Sequence, residues 1–276
     1  MIPTINPWKG LQPYLDSEDD LKLHPFCGRE NVVREMFDLI DNNIITTLYG
    51  KSGIGKTSLL NAGLFPKLRL EDYIPVYVRL GTDCLENETF AECIIRKIFE
   101  KTAGLDSRVG IEMAMPDCSK ADFLWAFFAK YDFYTKDNSV RYPVVILDQF
   151  EEIFNSDPES VKQILLQLQE LSSDKLLPNG SPFDVNFRVA ISIREDDLCL
   201  LEDAIDSYYF SELKSNRYRL KPLSKKEAIR VIEVRDYRNV ALCRDLFDED
   251  QSSDIYDSII RIATGNDTNG GINTQV

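Results

Sequence analysis

The chain has 276 residues, 43% hydrophobic and 28% charged, a size and balance that accommodate an α/β core with a smaller appended unit. Its formal net charge of −14 argues against non-specific nucleic-acid binding by the domain as a whole, because a polyanion is repelled at long range. The opening MIPTINPWKG lacks the basic start and apolar run of a secretory signal, and no apolar stretch reaches bilayer length, so no membrane partner is expected.

In chain order, the periodicities predict a helix over Asn31–Asn42, a strand over Ile44–Tyr49, a helix over Lys56–Leu70 and a strand over Ile74–Leu80. There follow a helix over Thr89–Thr102, a polar loop over Gly104–Lys120 and a helix over Ala121–Tyr131, whose aromatic run Phe123–Phe128 reads as a face packed on a sheet. A strand over Pro143–Leu147, a helix over Ser160–Leu171, a surface loop over Ser172–Asp184 and a strand over Phe187–Ile193 complete the alternation. Such an order calls for an α/β fold, a parallel sheet flanked by helices. Ser224 and Glu227 form a capping box expected to start a helix through Val234, and acidic helical sequence continues to about Ala263 as a small C-terminal lid. The loop-like ending Gly265–Gly271 is expected to truncate that lid. Six cysteines (Cys27, Cys84, Cys93, Cys118, Cys199, Cys243) without a C-x-x-C pair, and the lone His24, exclude a zinc cluster of the usual spacing. They read as reduced, mostly buried thiols of a cytoplasmic protein.

Gly50-Lys51-Ser52-Gly53-Ile54-Gly55-Lys56-Thr57 fits G-x-x-x-x-G-K-[ST] and stands between a predicted strand and a predicted helix. Small loop residues let backbone N–H groups wrap a polyphosphate, and the following helix aims its positive dipole end at the same anion. Lys56 would neutralise β- and γ-phosphates, and Thr57 would offer its hydroxyl to Mg²⁺. Val144-Val145-Ile146-Leu147-Asp148 is an apolar strand ending in a carboxylate, the Walker B position, where Asp148 would bind Mg²⁺. Gln149 occupies the place where a water-polarising carboxylate often follows. Glu151 or Glu152 would then serve as base, or both simply favour a helix N-terminus. Arg194, at the end of the Phe187–Ile193 strand, is placed to sense a γ-phosphate or to pair with Glu195 or Asp196.

These residues together resemble the STAND NTPases, signal-transducing ATPases of the P-loop class, and within them a mainly bacterial subgroup. Asn6-Pro7-Trp8-Lys9-Gly10-Leu11-Gln12-Pro13-Tyr14 is similar to its entry motif and Phe26-Cys27-Gly28-Arg29-Glu30 to its F-x-G-R-E box. Ser58-Leu59-Leu60-Asn61-Ala62-Gly63-Leu64-Phe65-Pro66-Lys67-Leu68 resembles the continuation of its P-loop. Asp148-Gln149-Phe150-Glu151-Glu152-Ile153-Phe154 resembles D-Q-F-E-E-L-F, and Arg194-Glu195-Asp196-Asp197-Leu198 resembles R-x-D-[aromatic]-L with Asp197 in place of the aromatic. The resemblance implies an N-terminal segment at 1–30 lining the adenine pocket through Phe26, Gly28 and Arg29, a nucleotide core at 31–220, and a lid from 221 to 276. Leu220 and Pro222 would close over the base, while Gly50, Ser52, Gly53, Ile54, Gly55, Lys56, Thr57 and Ser58 hold the phosphates. It further implies a slow ATP/ADP switch with Mg²⁺, self-association on activation, and sensor and effector domains outside this chain, with bacterial defence among the possible outputs. The rival readings are a nucleotide-locked scaffold without meaningful turnover and a steady-turnover AAA-like ATPase or phosphotransferase.

Overall fold

The computed structural model describes residues 12–205, 211–228 and 231. Helix α1 spans Glu18–Leu23 and α2 Glu30–Asn42; strand β1 (Ile45–Gly50) leads through the glycine-rich loop into α3 (Lys56–Ser58), a π-helical turn Leu59–Leu64 and α4 (Phe65–Leu70). Then come β2 (Tyr73–Val78), α5 (Leu80–Asp83), α6 (Phe90–Lys101), β3 (Asp106–Val109), α7 (Phe123–Lys130), β4 (Tyr131–Tyr134) and β5 (Val140–Leu147). A 3₁₀ turn Phe150–Asn155, α8 (Pro158–Leu171), β6 (Arg188–Arg194), a 3₁₀ turn Glu195–Asp197, α9 (Leu198–Ala204), α10 (Ser211–Ser215) and β7 (Arg217–Arg219) follow. The described residues form two compact units: one from the described parts of Met1–Glu35, Gly50–Pro66 and Leu220–Val276, the other from those of Met36–Tyr49 and Lys67–Arg219.

The larger unit holds the sheet. β5 is central, pairing parallel with β2 in the register Tyr73↔Tyr142 to Val78↔Leu147 and with β6 in the register Val144↔Arg188 to Leu147↔Ile191. β6 neighbours β1, and β1 pairs parallel with β7. The strand carrying Arg194 therefore lies between the strand that enters the glycine loop and the strand that ends at Asp148. Pro143 is tolerated inside β5 because Tyr142 N–H donates to Asp72 O (2.9 Å), so the alternation turns position 143 away from β2. On that opposite edge the β6 register begins only at Val144.

The expected parallel sheet flanked by helices is present, and two details differ from expectation. The sheet is mixed: β3 and β4 pair antiparallel with each other, and β4 pairs antiparallel with the start of β5. β3 falls inside the segment expected to be a plain loop. Its four residues Asp106–Val109 are all exposed, so no apolar alternation announces them, and their pairing partner alone makes them a strand. The expected helix over Lys56–Leu70 forms, but its middle is π-wound, with Phe65 N–H donating to Leu60 O. Pro66 supplies a reason, since its ring would clash with the carbonyl four residues back in a regular α-helix.

Helices α6, α7 and α8 and the 3₁₀ turn after β5 share one apolar cluster with the strands, including Ile94, Ile98, Phe127, Phe128, Leu147, Ile164, Leu168 and Val189. Leu124 through Ala129 are all buried, so the aromatic run of α7 is core. α6 starts in a full Thr89/Glu92 capping box, and α8 starts with Asp157 accepting from Glu159 N and Ser160 N and with Pro158 in the first turn. Phe128 stacks on Phe187 at 4.0 Å between centroids and is 1% exposed. Phe128→Ala is expected to lower stability by about 3–5 kcal/mol, read as a reduced urea midpoint with an unchanged slope.

In the smaller unit, Leu223 and Ala228 pack with Val231. The Ser224–Glu227 capping box is present: Ser224 N–H donates to Glu227 Oε2 (2.7 Å) and Glu227 N–H to Ser224 Oγ (3.3 Å). Its continuation through Val234, the acidic lid, the ending at Gly265–Gly271, Cys243 and the entry-motif residues Asn6–Leu11 lie outside the described residues.

Candidate functional site

The glycine-rich loop is built by backbone freedom at two positions. Gly53 has φ 71° and Gly55 φ 96°, left-handed conformations in which a side chain is strained, and Gly55 is the N-cap of α3 with no side chain to occupy the donors of the first turn. Such alternation of left- and right-handed residues makes a concave backbone nest suited to phosphate. Lys56 is buried, and its ammonium donates to Gly50 O (2.8 Å) and Lys51 O (3.2 Å), so the charge spans its own loop. Ile54 is buried, Ser52 is exposed, and Thr57 is partly buried.

Three segments far apart in sequence meet in this unit. The Arg29 guanidinium, 6% exposed, donates to Ile54 O (3.2 Å) in the loop and to Lys221 O (2.9 Å). A Cβ on Gly50 would lie 2.9 Å from Leu220 O, so the 220–222 corner runs directly against the start of the loop. Gly28 has φ 82°, and a Cβ there would lie 2.5 Å from Val231 Cγ2 and 3.0 Å from Glu227 O, which seats the helix after Ser224 on the F-x-G-R-E box. Leu220 is buried and Pro222 partly buried at this corner.

Two proposed nucleotide contacts have packing roles in the structure. Phe26 meets the Tyr14 ring edge-on at 5.5 Å, and a Cβ on Gly63 would lie 2.9 Å from Phe26 Cε1. Ser58 Oγ accepts from Tyr14 N–H (3.4 Å), and the Asn61 amide donates to Tyr14 O (3.1 Å). These contacts dock the residues before α1 onto the helix that follows the glycine loop.

In the larger unit Asp148 is 1% exposed at the end of β5. Its N–H donates to Val78 O (3.0 Å), and the Tyr77 hydroxyl donates to its Oδ2 (2.9 Å). Burial, then the neighbouring Asp148 charge, pushes the Tyr77 phenol well above its usual range, so it remains a donor. The chain turns sharply at Gln149, which is left-handed at φ 52° despite its side chain, a strain of the kind that clusters at functional sites. Glu152 forms an ion pair with Arg79, whose guanidinium burial would destabilise but the Glu152 hydrogen bond and charge hold protonated. A Cβ on Gly81 would lie 2.5 Å from Glu152 Oε2, so only glycine leaves room for that carboxylate. Glu151 Oε2 accepts from Arg194 N–H (3.2 Å).

Arg194 is exposed, and its Nε lies 3.8 Å from Asp197 Oδ2, in place of the expected Glu195 or Asp196 partner. Glu195 is drawn instead to Arg219 of β7 (2.5 Å). Tyr77, Arg79 and Gly81 are the residues missed at this end of the sheet. Their signal was the end of β2: in parallel sheets functional groups gather at the carboxyl ends of strands, and period-2 alternation puts Tyr77 and Arg79 on one face.

The thiols also depart from expectation. Of the five described cysteines only Cys93 is buried. Cys84, Glu88 and Cys93 offer ligand atoms within 4.8 Å of one another although no spacing motif joins them. Arg96 occupies both Glu88 oxygens (2.8 and 2.9 Å) and lies 3.6 Å from Cys93 Sγ, so a guanidinium already neutralises this cluster.

The mostly parallel sheet, the glycine loop between β1 and α3, and the buried carboxylate ending β5 define a P-loop NTPase. The chain belongs to the Novel STAND NTPase 1 family, whose profile matches residues 7–240. No curated protein sequence matches it. Among solved structures it is similar in fold to a Walker-type ATPase of Pyrococcus abyssi, at 15% identity and TM-score 0.53, covering 92% of this chain and 67% of that one. Cdc6p from Pyrobaculum aerophilum (16% identity, TM-score 0.47) matches over 83% of this chain and 52% of its own. The Drosophila ORC bound to DNA (18%, 0.49) matches over 86% and 53%. Among the described residues no helix is long and apolar enough to cross a membrane.

Proposed function

We propose that this NTPase module is the switch of a larger cytoplasmic signalling protein: it binds ATP or ADP with Mg²⁺, hydrolyses slowly, and passes the state of the phosphates to the chain beyond residue 220. The observation that carries the reading is the buried Arg29 guanidinium, bonded at once to Ile54 O in the glycine loop and to Lys221 O. A loop that adjusts to a γ-phosphate moves Ile54, and through Arg29 that movement reaches the corner where the Ser224 helix starts. Two arrangements with different nucleotide affinity are what a switch requires.

In this reading 1–30 borders the adenine pocket, 31–220 is the nucleotide core and 221–276 begins the lid. Phe26, Gly28 and Arg29 frame the base, Leu220 and Pro222 close over it, and Arg194 senses the γ-phosphate. The oxygen donors Thr57 and Asp148 suit Mg²⁺, a hard cation that takes few protein ligands and keeps several waters. When bound, Mg²⁺ would neutralise phosphate charge. ATP would favour self-association, which activates an effector outside this chain, with bacterial antiviral defence among the candidate outputs.

One observation favours a second reading, a nucleotide-locked scaffold. Gln149 stands where a base is usual, and both nearby candidates are engaged, Glu151 with Arg194 N–H and Glu152 with Arg79. Purifying the chain without added nucleotide, denaturing it and identifying what is released by chromatography and mass spectrometry tests the proposal. Stoichiometric ADP is expected. Empty protein that turns over ATP rapidly and repeatedly would replace the switch with a motor or metabolic enzyme.

A further inference from the structure

Two of the three carboxylates after β5, Asp148 and Glu152, are held from β2 and the residue that follows it. Val78 O takes the Asp148 N–H, and Tyr77 donates to the Asp148 side chain, so a single strand grips this residue by backbone and carboxylate together. Two positions on, Arg79 holds Glu152. The β2–β5 register, Tyr77↔Ile146 and Val78↔Leu147, delivers these donors to the end of β5 without any loop between them.

We propose that Tyr77 is a positioning residue for Asp148, setting the rotation of the carboxylate from which it serves the Mg²⁺–nucleotide. The inference rests on the nucleotide reading above. A carboxylate has four acceptor sites, so the bond from Tyr77 restrains the rotation of the carboxylate without using up its acceptors. The tyrosine ring is a rigid carrier for that donor, having only two side-chain torsions. The Arg79 guanidinium donates to Glu152, whereas the hydroxyl of Tyr77 donates to Asp148.

Tyr77→Phe removes only the hydroxyl. Mn²⁺ in place of Mg²⁺, followed by electron paramagnetic resonance in the presence of a non-hydrolysable ATP analogue, reads metal uptake without turnover. Metal-free nucleotide affinity and the thermal midpoint are expected to match the parent, whereas Mn²⁺ affinity falls about tenfold or more, the range in which outer-shell partners act. A general loss of packing would lower both affinities and the midpoint together, and would overturn the positioning role. An unchanged Mn²⁺ affinity and spectrum in Y77F also overturns it, while leaving the nucleotide reading intact. A parent chain that takes up no Mn²⁺–nucleotide overturns both. Should Y77F fail to fold, 4-fluorophenylalanine at position 77 keeps the ring and fills the hydroxyl's space without a donor; an about tenfold weaker Mn²⁺ affinity then supports the proposal and parent-like affinity overturns it.

Discussion

Lys56→Ala is expected to weaken ATP and ADP binding by at least about a hundredfold in calorimetric titration. Hydrogen bonds to charged groups contribute about 1.5–3 kcal/mol each, and an ammonium on two phosphate oxygens supplies two of them. The starting point is favourable, because the side chain is buried and already bridges Gly50 O and Lys51 O, so its charge is directed across the loop before any phosphate arrives. Removing it also leaves those two carbonyls without that donor. A thermal melt alongside the titration separates a collapsed loop from a lost anion contact. Parent-like affinity in a well-folded variant would place the phosphate site elsewhere in the chain.

Asp148→Asn is expected to reduce Mg²⁺-dependent hydrolysis by about a hundredfold to a thousandfold, the scale seen when one preorganised electrostatic contact is removed. Asparagine keeps an oxygen that can accept from Tyr77 and is nearly isosteric in a site that is 1% exposed, so the fold has little reason to change. Binding of nucleotide in the presence of a chelator should stay at the parent level. That split matters: loss of metal-dependent turnover with retained metal-free binding identifies Asp148 as a metal residue, whereas parent-rate hydrolysis would show that the metal is held elsewhere. The Lys56 and Asp148 variants therefore test different halves of one reading, one through the anion and one through the cation.

The glycine loop, the Asp148 strand end and the arginine-bearing strand were readable because each is a local signature. A left-handed turn needs glycine at Gly53 and Gly55, a strand buried on both faces reads as an unbroken apolar run at Val144–Leu147, and helix starts carry their own caps. The four principal strands and five principal helices follow from periodicity for the same reason: burial on one face must appear as a period in the residues that are buried. β3 escaped because none of its residues is buried, so its strand state belongs to β4 rather than to its own composition. The π-turn after Ser58 escaped because α and π winding differ by one residue per hydrogen bond, a distinction that apolar spacing does not resolve.

Residue order alone was enough for the class of fold, for the glycine-rich loop and for the family resemblance, since these depend on short-range backbone geometry and on ordered motifs. Packing had to decide which donors hold which carboxylates. Tyr77 meets Asp148 only through the β2–β5 register, Arg29 meets Lys221 across 192 residues of chain, and the choice of Arg79 for Glu152 over Arg194 depends on which strand lies beside β5 on each edge. A hydrogen bond is a short-range, directional contact, and its partner is settled by where separate strands come to rest in the sheet.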